Sequence, residues 1–143
     1  MTARRTEEVV RALIRRPAVE VAPEATLRVV AETLGEESIG AVVVRAPHAP
    51  GPGTRASGLV SERDVVQAIA SGADPDRTSA ESVMTSNLSS AHPDEPILIA
   101  ARRLLENEIR HLPVVEGDTV IGVISARDVL EALVDETGTT STP

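Results

Sequence analysis

Two short segments of this 143-residue chain carry the side chains best suited to chemistry. Each places a serine, an arginine and an aspartate where a short apolar run gives way to a helical pattern: Ser61, Arg63 and Asp64 in the first segment, and Ser125, Arg127 and Asp128 in the second. The free N–H groups of a helix N-terminus and the serine hydroxyl suit a phosphate, and the arginine could add charge-assisted hydrogen bonds. The aspartate could accept hydrogen bonds from the paired hydroxyls of a ribose.

The same spacing also has a purely structural interpretation. A serine at the N-cap of a helix accepts a hydrogen bond from the N–H three residues on, and an acidic residue there returns one to the N-cap N–H, which together form a capping box. A carboxylate in the first helical turn also interacts favourably with the helix dipole. The spacing therefore leaves two hypotheses open, a ligand-binding turn and a helix cap.

The residues that precede each turn show that the turns belong to a duplication. Pro23 corresponds to Pro93 at an offset of 70 residues, and Gly58 corresponds to Gly122 at an offset of 64. The difference falls within residues 45–57, where three prolines and two glycines indicate an exposed irregular loop. The sequence is therefore one structural unit repeated twice.

Each copy has the periodicity of an amphipathic helix followed by two short strands. The apolar stripe of the helix occupies positions i, i+3, i+4 and i+7, namely Leu27, Val30, Ala31 and Leu34 in the first copy, and Ile97, Ala100, Ala101 and Leu104 in the second. Strands are predicted at residues 41–44 and 59–60, and at residues 112–115 and 120–124, and each copy ends in a closing helix. Glu116-Gly117-Asp118 is short enough for a hairpin turn, and Pro113 indicates an edge strand or the first residue of a strand.

A single copy is marginal as a folding unit, because small domains bury too little of their surface. We therefore predict an α/β (α+β) fold in which two pseudo-symmetric halves pack sheet to sheet within one domain. The first repeat covers residues 9–70 with a leading helix over Thr6–Arg16, and the second covers residues 79–135 with a short helix over Ser79–Thr85. Residues 71–78 are predicted to be a linker, and residues 136–143 a disordered tail.

The composition excludes several classes of function. The chain has no cysteine, no aromatic residue and a net charge of −8, so we expect no disulfide, no thiolate chemistry and no binding to nucleic acid or anionic membranes. Residues 1–5 contain no apolar stretch of the signal-peptide kind and the sequence has no run of 18 apolar residues, so we expect a cytoplasmic protein. His48, His92 and His111 lack metal-ligand spacing, and no acid–base or nucleophile–base pair is evident. We predict no catalytic residue, no metal site and no enzymatic activity.

The ordered set of duplicated motifs resembles a pair of cystathionine-β-synthase-like (CBS) domains, the arrangement called a Bateman module. The likeness extends over residues 9–134 and rests on the two Ser-x-x-Asp turns, Val83-Met84-Thr85, Pro93, and the segment from Arg110 to Val114. The resemblance implies a β-α-β-β-α unit in each half and clefts between the halves that bind adenosine-containing ligands.

Several roles follow from the resemblance. Asp64 and Asp128 would contact ribose, Ser61 and Ser125 phosphate, and Arg63 and Arg127 are further candidate ligand contacts. Arg110 and His111 would reach phosphate, with Pro113 beside them, whereas the first copy has Gly40-Ala41 instead, so the two clefts should differ in phosphate affinity.

The resemblance implies a regulatory module that senses AMP, ATP or an NAD-like nucleotide, needs no obligatory cofactor and forms a homodimer. The alternative is a structural module that dimerises or docks on an unidentified protein partner, with both turns acting only as helix caps.

Overall fold

The computed structural model describes residues 8–47 and 55–140, with side chains through residue 134, and it contains both copies of the repeat. A leading 3₁₀ helix spans Val10–Leu13. The first copy then consists of β1 (Glu20–Val21), α1 (Leu27–Glu37), β2 (Ala41–Arg45), β3 (Ala56–Ser61) and α2 (Glu62–Ala70). The second contains α3 (Ala80–Val83), α4 (Ile97–Glu106), β4 (His111–Glu116), β5 (Thr119–Ser125) and α5 (Ala126–Thr140). The predicted mixed α/β fold of two similar halves is confirmed.

Each half has its own small sheet. In the first, β2 pairs in parallel with β1 and antiparallel with β3. In the second, β4 and β5 form an antiparallel hairpin whose turn contains Gly117 at a φ of 63°. Where the first half has β1, the second has only a single bridge between Ala91 and Val114. The β-α-β-β-α order is therefore complete in the first half and lacks its leading strand in the second.

Pro113 lies third in β4, opposite Val123. Its carbonyl accepts a hydrogen bond of 2.9 Å from the N–H of Ala91, on the side of β4 that faces away from β5. The N–H that proline lacks is therefore no loss to the pairing of β4 with β5. The predicted edge position is confirmed.

Alternation along the strands buries both faces of the first sheet. Val42 and Val44 pack beneath α1, whereas Val43 on the opposite face belongs to a cluster with Leu59 and with Val120 of the other sheet. The sheet-to-sheet packing is thus confirmed. The helical stripes pack as predicted, with Leu27, Val30 and Leu34 buried in α1 and Ile97, Ala100 and Leu104 buried in α4. Ala31 differs, because it is exposed.

The leading segment of each copy packs on the other copy. Val10 and Leu13 are buried in the core of the second half, and the Val10 N–H donates to the carbonyl of Glu95 at 2.9 Å. In the same way, Ala80 is buried in the core of the first half and its N–H donates to the carbonyl of Ala25 at 2.7 Å. Each half is therefore completed by a segment that precedes the other copy in the sequence.

The helix predicted over Thr6–Arg16 is wrong within the described residues, where only Val10–Leu13 form a 3₁₀ turn. Val9 is extended and forms a bridge with Pro96, so pairing with the other copy overrides the local helical pattern. The short helix predicted over Ser79–Thr85 is present as α3.

The tail also differs from expectation. Helix α5 continues to Thr140 where disorder was predicted from residue 136, and residues 141–143 lie outside the described residues. Most of the predicted loop over residues 45–57, including His48, lies outside them as well.

Candidate functional site

Both Ser-x-x-Asp turns form complete capping boxes. The Ser61 N–H donates to Asp64 Oδ2 at 2.8 Å, and the Asp64 N–H donates to Ser61 Oγ at 3.1 Å. Ser125 and Asp128 form the same pair of hydrogen bonds at the same two distances. The structural interpretation of the motif therefore holds at both turns. Each box uses one carboxylate oxygen, so the other oxygen lies outside the capping hydrogen bonds.

The first turn lines a cavity of about 660 Å³ that also receives the segment before β4 of the other half. The cavity brings together six of the nine predicted site residues, namely Ser61, Arg63, Asp64, Arg110, His111 and Pro113. Ser125, Arg127 and Asp128 are absent from its lining. We call this cavity the first cleft.

Sequence reasoning missed several residues of the first cleft. The segment between α3 and Ala91 contributes Thr85, Asn87, Leu88 and Ser89, and the residues that end α4 and follow it contribute Asn107, Glu108 and Ile109. Ala41, Leu59, Glu62 and Gln67 complete the lining from the first half. The repeat offers no local signal for these positions, because the cleft depends on how the halves face each other.

His111 lies against the backbone of Gly40 at the junction of the two halves. A Cβ placed on Gly40 would lie 2.3 Å from His111 Nε2, closer than non-bonded atoms approach, so the imidazole fits only because residue 40 has no side chain. The Gly40-Ala41 and Arg110-His111 pairs, which are equivalent in the repeat, are therefore complementary in space.

Burial lowers the pKa of His111 below the ordinary histidine value, and the nearby charge of Arg110 acts in the same direction. The carboxylates of Glu62, Asp128 and Asp64 oppose this shift. The imidazole is thus held mainly in its neutral form beside the first cleft, where it retains one hydrogen-bond acceptor.

The first cleft offers both cationic and apolar groups. Arg63 and Arg110 are exposed, and within the described residues neither forms an ion pair with a carboxylate. The apolar part of the lining is aliphatic and comprises Ala41, Leu59, Leu88, Ile109 and Pro113. The arrangement supplies guanidinium groups for an anion, a carboxylate for hydroxyl donors and aliphatic contacts for a flat ring.

A shallow neighbouring cavity of about 590 Å³ shares Ser89 and Asn107 with the first cleft, so the two adjoin. Its lining includes Arg102 and Arg103, the latter bound to Glu95 at 2.8 Å.

Among the described residues, no three His, Asp or Glu side chains cluster closely enough to bind a metal ion. No helix in the described part of the chain has the length and apolarity needed to cross a membrane.

Comparison with known proteins defines the class of this fold and site. The CBS domain model matches residues 10–71 and 80–135, one match for each copy. The chain belongs to the CBS domain family and carries a tandem pair of these domains.

Among curated relatives, the mitochondrial CBS domain-containing protein CBSX3 of Arabidopsis thaliana is 31% identical over 108 residues, which cover 73% of this chain and 51% of the relative. An uncharacterised 17.7 kDa protein of Acidianus ambivalens is 32% identical over 116 residues, which cover 80% of this chain and 66% of that protein. The chain thus spans about half to two thirds of the length of these relatives.

Among solved structures, a CBS domain protein of Pyrobaculum aerophilum complexed with AMP is 30% identical, with a TM-score of 0.79 over 91% of this chain and 98% of that one. A CBS-domain protein of Agrobacterium tumefaciens is 29% identical, with a TM-score of 0.77 over 87% of this chain and 98% of that one.

Proposed function

We propose that this protein is a regulatory module that binds an adenosine-containing nucleotide in the first cleft. The proposal depends on one observation, that a single cavity joins the Ser61–Asp64 turn of one copy to Arg110 and His111 of the other. Neither copy alone holds both groups, so the site exists only where the two halves meet. Ligand occupancy would therefore report on, and bias, the relative placement of the halves.

The side chains of the cleft suit the three parts of a nucleotide. Arg63 and Arg110, which have no ion-pair partner among the described residues, would bind phosphate, and His111 would add a hydrogen bond. The Asp64 oxygen outside the cap would accept from ribose hydroxyls, as acidic residues do in other nucleotide sites. The aliphatic lining would contact the base, because the chain has no aromatic side chain to stack on it. AMP binding by the Pyrobaculum aerophilum relative supports this ligand class.

Thermal unfolding in the presence of AMP, ADP, ATP, NAD and S-adenosylmethionine tests the proposal. A ligand at 100 times its Kd stabilises the folded state by about 2.7 kcal/mol, which for a chain of this size raises the Tm by roughly 5–10 °C. The adjoining cavity at Arg102 leaves room for a ligand longer than a nucleoside monophosphate, so the comparison includes larger members. If none of the five compounds changes the Tm at millimolar concentration, the proposal is refuted.

The chain also presents apolar side chains that suit the homodimer expected for such a pair. On α2, Val66 is 65% exposed and Ile69 is 50% exposed, and on α5, Leu130 and Val134 are 58% and 60% exposed. An exposed apolar surface on two helices favours association. We therefore propose that α2 and α5 contact a second copy of the chain. In the alternative function, the protein would dimerise without binding a ligand. The exposed surface of α2 and α5 would then carry the function, and the two turns would serve only as helix caps.

A further inference from the structure

The pseudo-symmetry of the repeat implies an equivalent position beside the second turn, which we call the second cleft, and the contacts of the two turns identify the residues around it. A Cβ on Gly58 would meet Met84 Sδ at 2.8 Å, and a Cβ on Gly122 would meet the Ile14 side chain at the same distance. Ile14 and Met84 are separated by the offset of the repeat. The segment that begins at Ile14 therefore takes, beside the second turn, the place that the segment from Met84 takes beside the first.

Backbone hydrogen bonds support this equivalence. The N–H of Glu62 donates to the carbonyl of Gly40 at 2.9 Å, and the N–H of Ala126 donates to the carbonyl of Arg110 at 2.8 Å. Each pair joins the start of a closing helix to the residue that precedes a strand. By the same relation, the first-cleft residues Gln67, Thr85 and Asn107 correspond to Glu131, Arg15 and Glu37 in the second.

The second cleft differs from the first because acidic residues replace two neutral amides. Arg15 Nη2 lies 2.9 Å from Glu131 Oε2, and Arg127 Nε lies 3.0 Å from Glu131 Oε1. Arg16, next to Arg15, forms an ion pair with Glu37. In the first cleft the corresponding positions hold Gln67 and Asn107, so Arg63, the counterpart of Arg127, has no carboxylate partner among the described residues.

These ion pairs matter more for the charge of the cleft than for folding. The Glu131 side chain is 41% exposed, and those of Arg15 and Arg127 are 71% and 87% exposed. Pairs this exposed contribute little to stability. Hydrogen bonds from both arginines lower the pKa of Glu131, so it remains ionised at neutral pH. A phosphate that approaches Arg127 therefore meets a carboxylate already bound to the Nε of that guanidinium, and the two negative charges repel each other.

We propose that Glu131, together with Glu37, blocks phosphate binding at the second cleft, so that a nucleotide phosphate binds only at the first. This inference rests on the proposed function. Gln67 and Glu131 are the residues that set the difference, because they stand at equivalent positions and differ by one charge. An uncharged nucleoside would not compete with Glu131 for Arg127.

A reciprocal pair of substitutions tests the inference by calorimetry with AMP and with adenosine. Glu131→Gln gives the second cleft the residue type found at the equivalent position of the first, and it leaves Arg127 without the Glu131 carboxylate. A second AMP per chain should then bind, with an affinity at the second cleft about tenfold or more above that of the unaltered protein. Gln67→Glu copies the second cleft and offers Arg63 a carboxylate, so AMP affinity at the first cleft should fall about tenfold. Adenosine carries no phosphate, so its affinity should change much less than that of AMP in both variants.

Gln67 is exposed and Glu131 is partly exposed, and matching far-UV circular dichroism and Tm values in the absence of ligand would show that the variants fold. The inference is overturned if AMP binds all three proteins with the same stoichiometry and affinity, or if adenosine responds as strongly as AMP does. If AMP binds none of the three, the nucleotide function itself fails, and the charge block with it. The two failures are therefore distinguishable.

Discussion

Replacing Asp64 and Asp128 singly by alanine separates the structural role of the turns from the proposed role in binding. The two capping boxes have the same geometry, with hydrogen bonds of 2.8 and 3.1 Å in each. Loss of a cap lowers the free energy of unfolding by about 0.5–2 kcal/mol, which lowers the Tm by roughly 2–8 °C for a chain of this size. Without ligand, the two variants should therefore be destabilised by similar amounts.

With ligand, the same two variants should differ. Asp64 lines the first cleft with Arg110 and His111, whereas Asp128 is absent from its lining. Loss of a hydrogen bond to a carboxylate costs about 1.5–3 kcal/mol, so Asp64→Ala should weaken AMP binding roughly 10- to 150-fold while Asp128→Ala leaves it within about threefold. Thermal unfolding with and without AMP, followed by calorimetry, measures both effects.

Two results would refute this reasoning in different ways. Unchanged AMP affinity in both variants would mean that the turns are only helix caps. A larger loss in Asp128→Ala than in Asp64→Ala would mean that the nucleotide occupies the second cleft instead. Asp64→Asn serves as a control, because the amide retains one acceptor oxygen and should lose less of both the cap and the ligand contact.

Three further predictions concern the junction of the halves and the exposed helices. Gly40→Ala places a Cβ against His111 Nε2 and should lower the free energy of unfolding by about 1–3 kcal/mol in urea titrations. The double variant that also carries His111→Ala should recover part of this loss. An unchanged urea midpoint in Gly40→Ala would contradict the contact. Because the pKa of His111 is lowered by burial, the stability that depends on its neutral form is present above about pH 6.5 and is lost as the pH falls below that value. The ligand-free Tm should thus fall more between pH 7.5 and 5.5 in the unaltered protein than in His111→Gln, and equal losses would exclude this role. Leu130→Glu, at a residue that is 58% exposed on α5, should convert a dimer to a monomer in light scattering without lowering helix content, and an unchanged mass would remove α5 from the interface.

The parts of the fold that the sequence predicts are those with local or periodic causes. The apolar stripe of α1 requires only that Leu27, Val30 and Leu34 recur on one helical face, and all three are buried. The turns required only the Ser-x-x-Asp spacing, and both capping boxes form. Pro113 has no backbone N–H to donate to a neighbouring strand, so it was predicted at an edge.

The parts that the sequence did not predict depend on how the two copies meet. Val10 and Leu13 have the spacing of a helix in the first copy, but they are buried in the core of the second, and extended backbone at Val9 ends the helical pattern. Arg110 and His111, which share the first cleft with the first turn, lie more than forty positions further along the chain, and no local pattern joins Asp64 to Arg110. The ion pair between Glu131 and Arg15 likewise arises only because Arg15 crosses to the other half.

A titration of methyl-labelled protein with AMP, followed by NMR, tests the central claim most directly. Leu59, Leu88 and Ile109 line the first cleft from three different segments, and their methyl groups would lie close to a bound base or ribose. We predict saturable shifts of all three with one common Kd, while Val10 and Leu13, in the core of the second half, change little. If the three cleft residues keep their positions at millimolar AMP, or if the shifts fall elsewhere, the first cleft is not the nucleotide site.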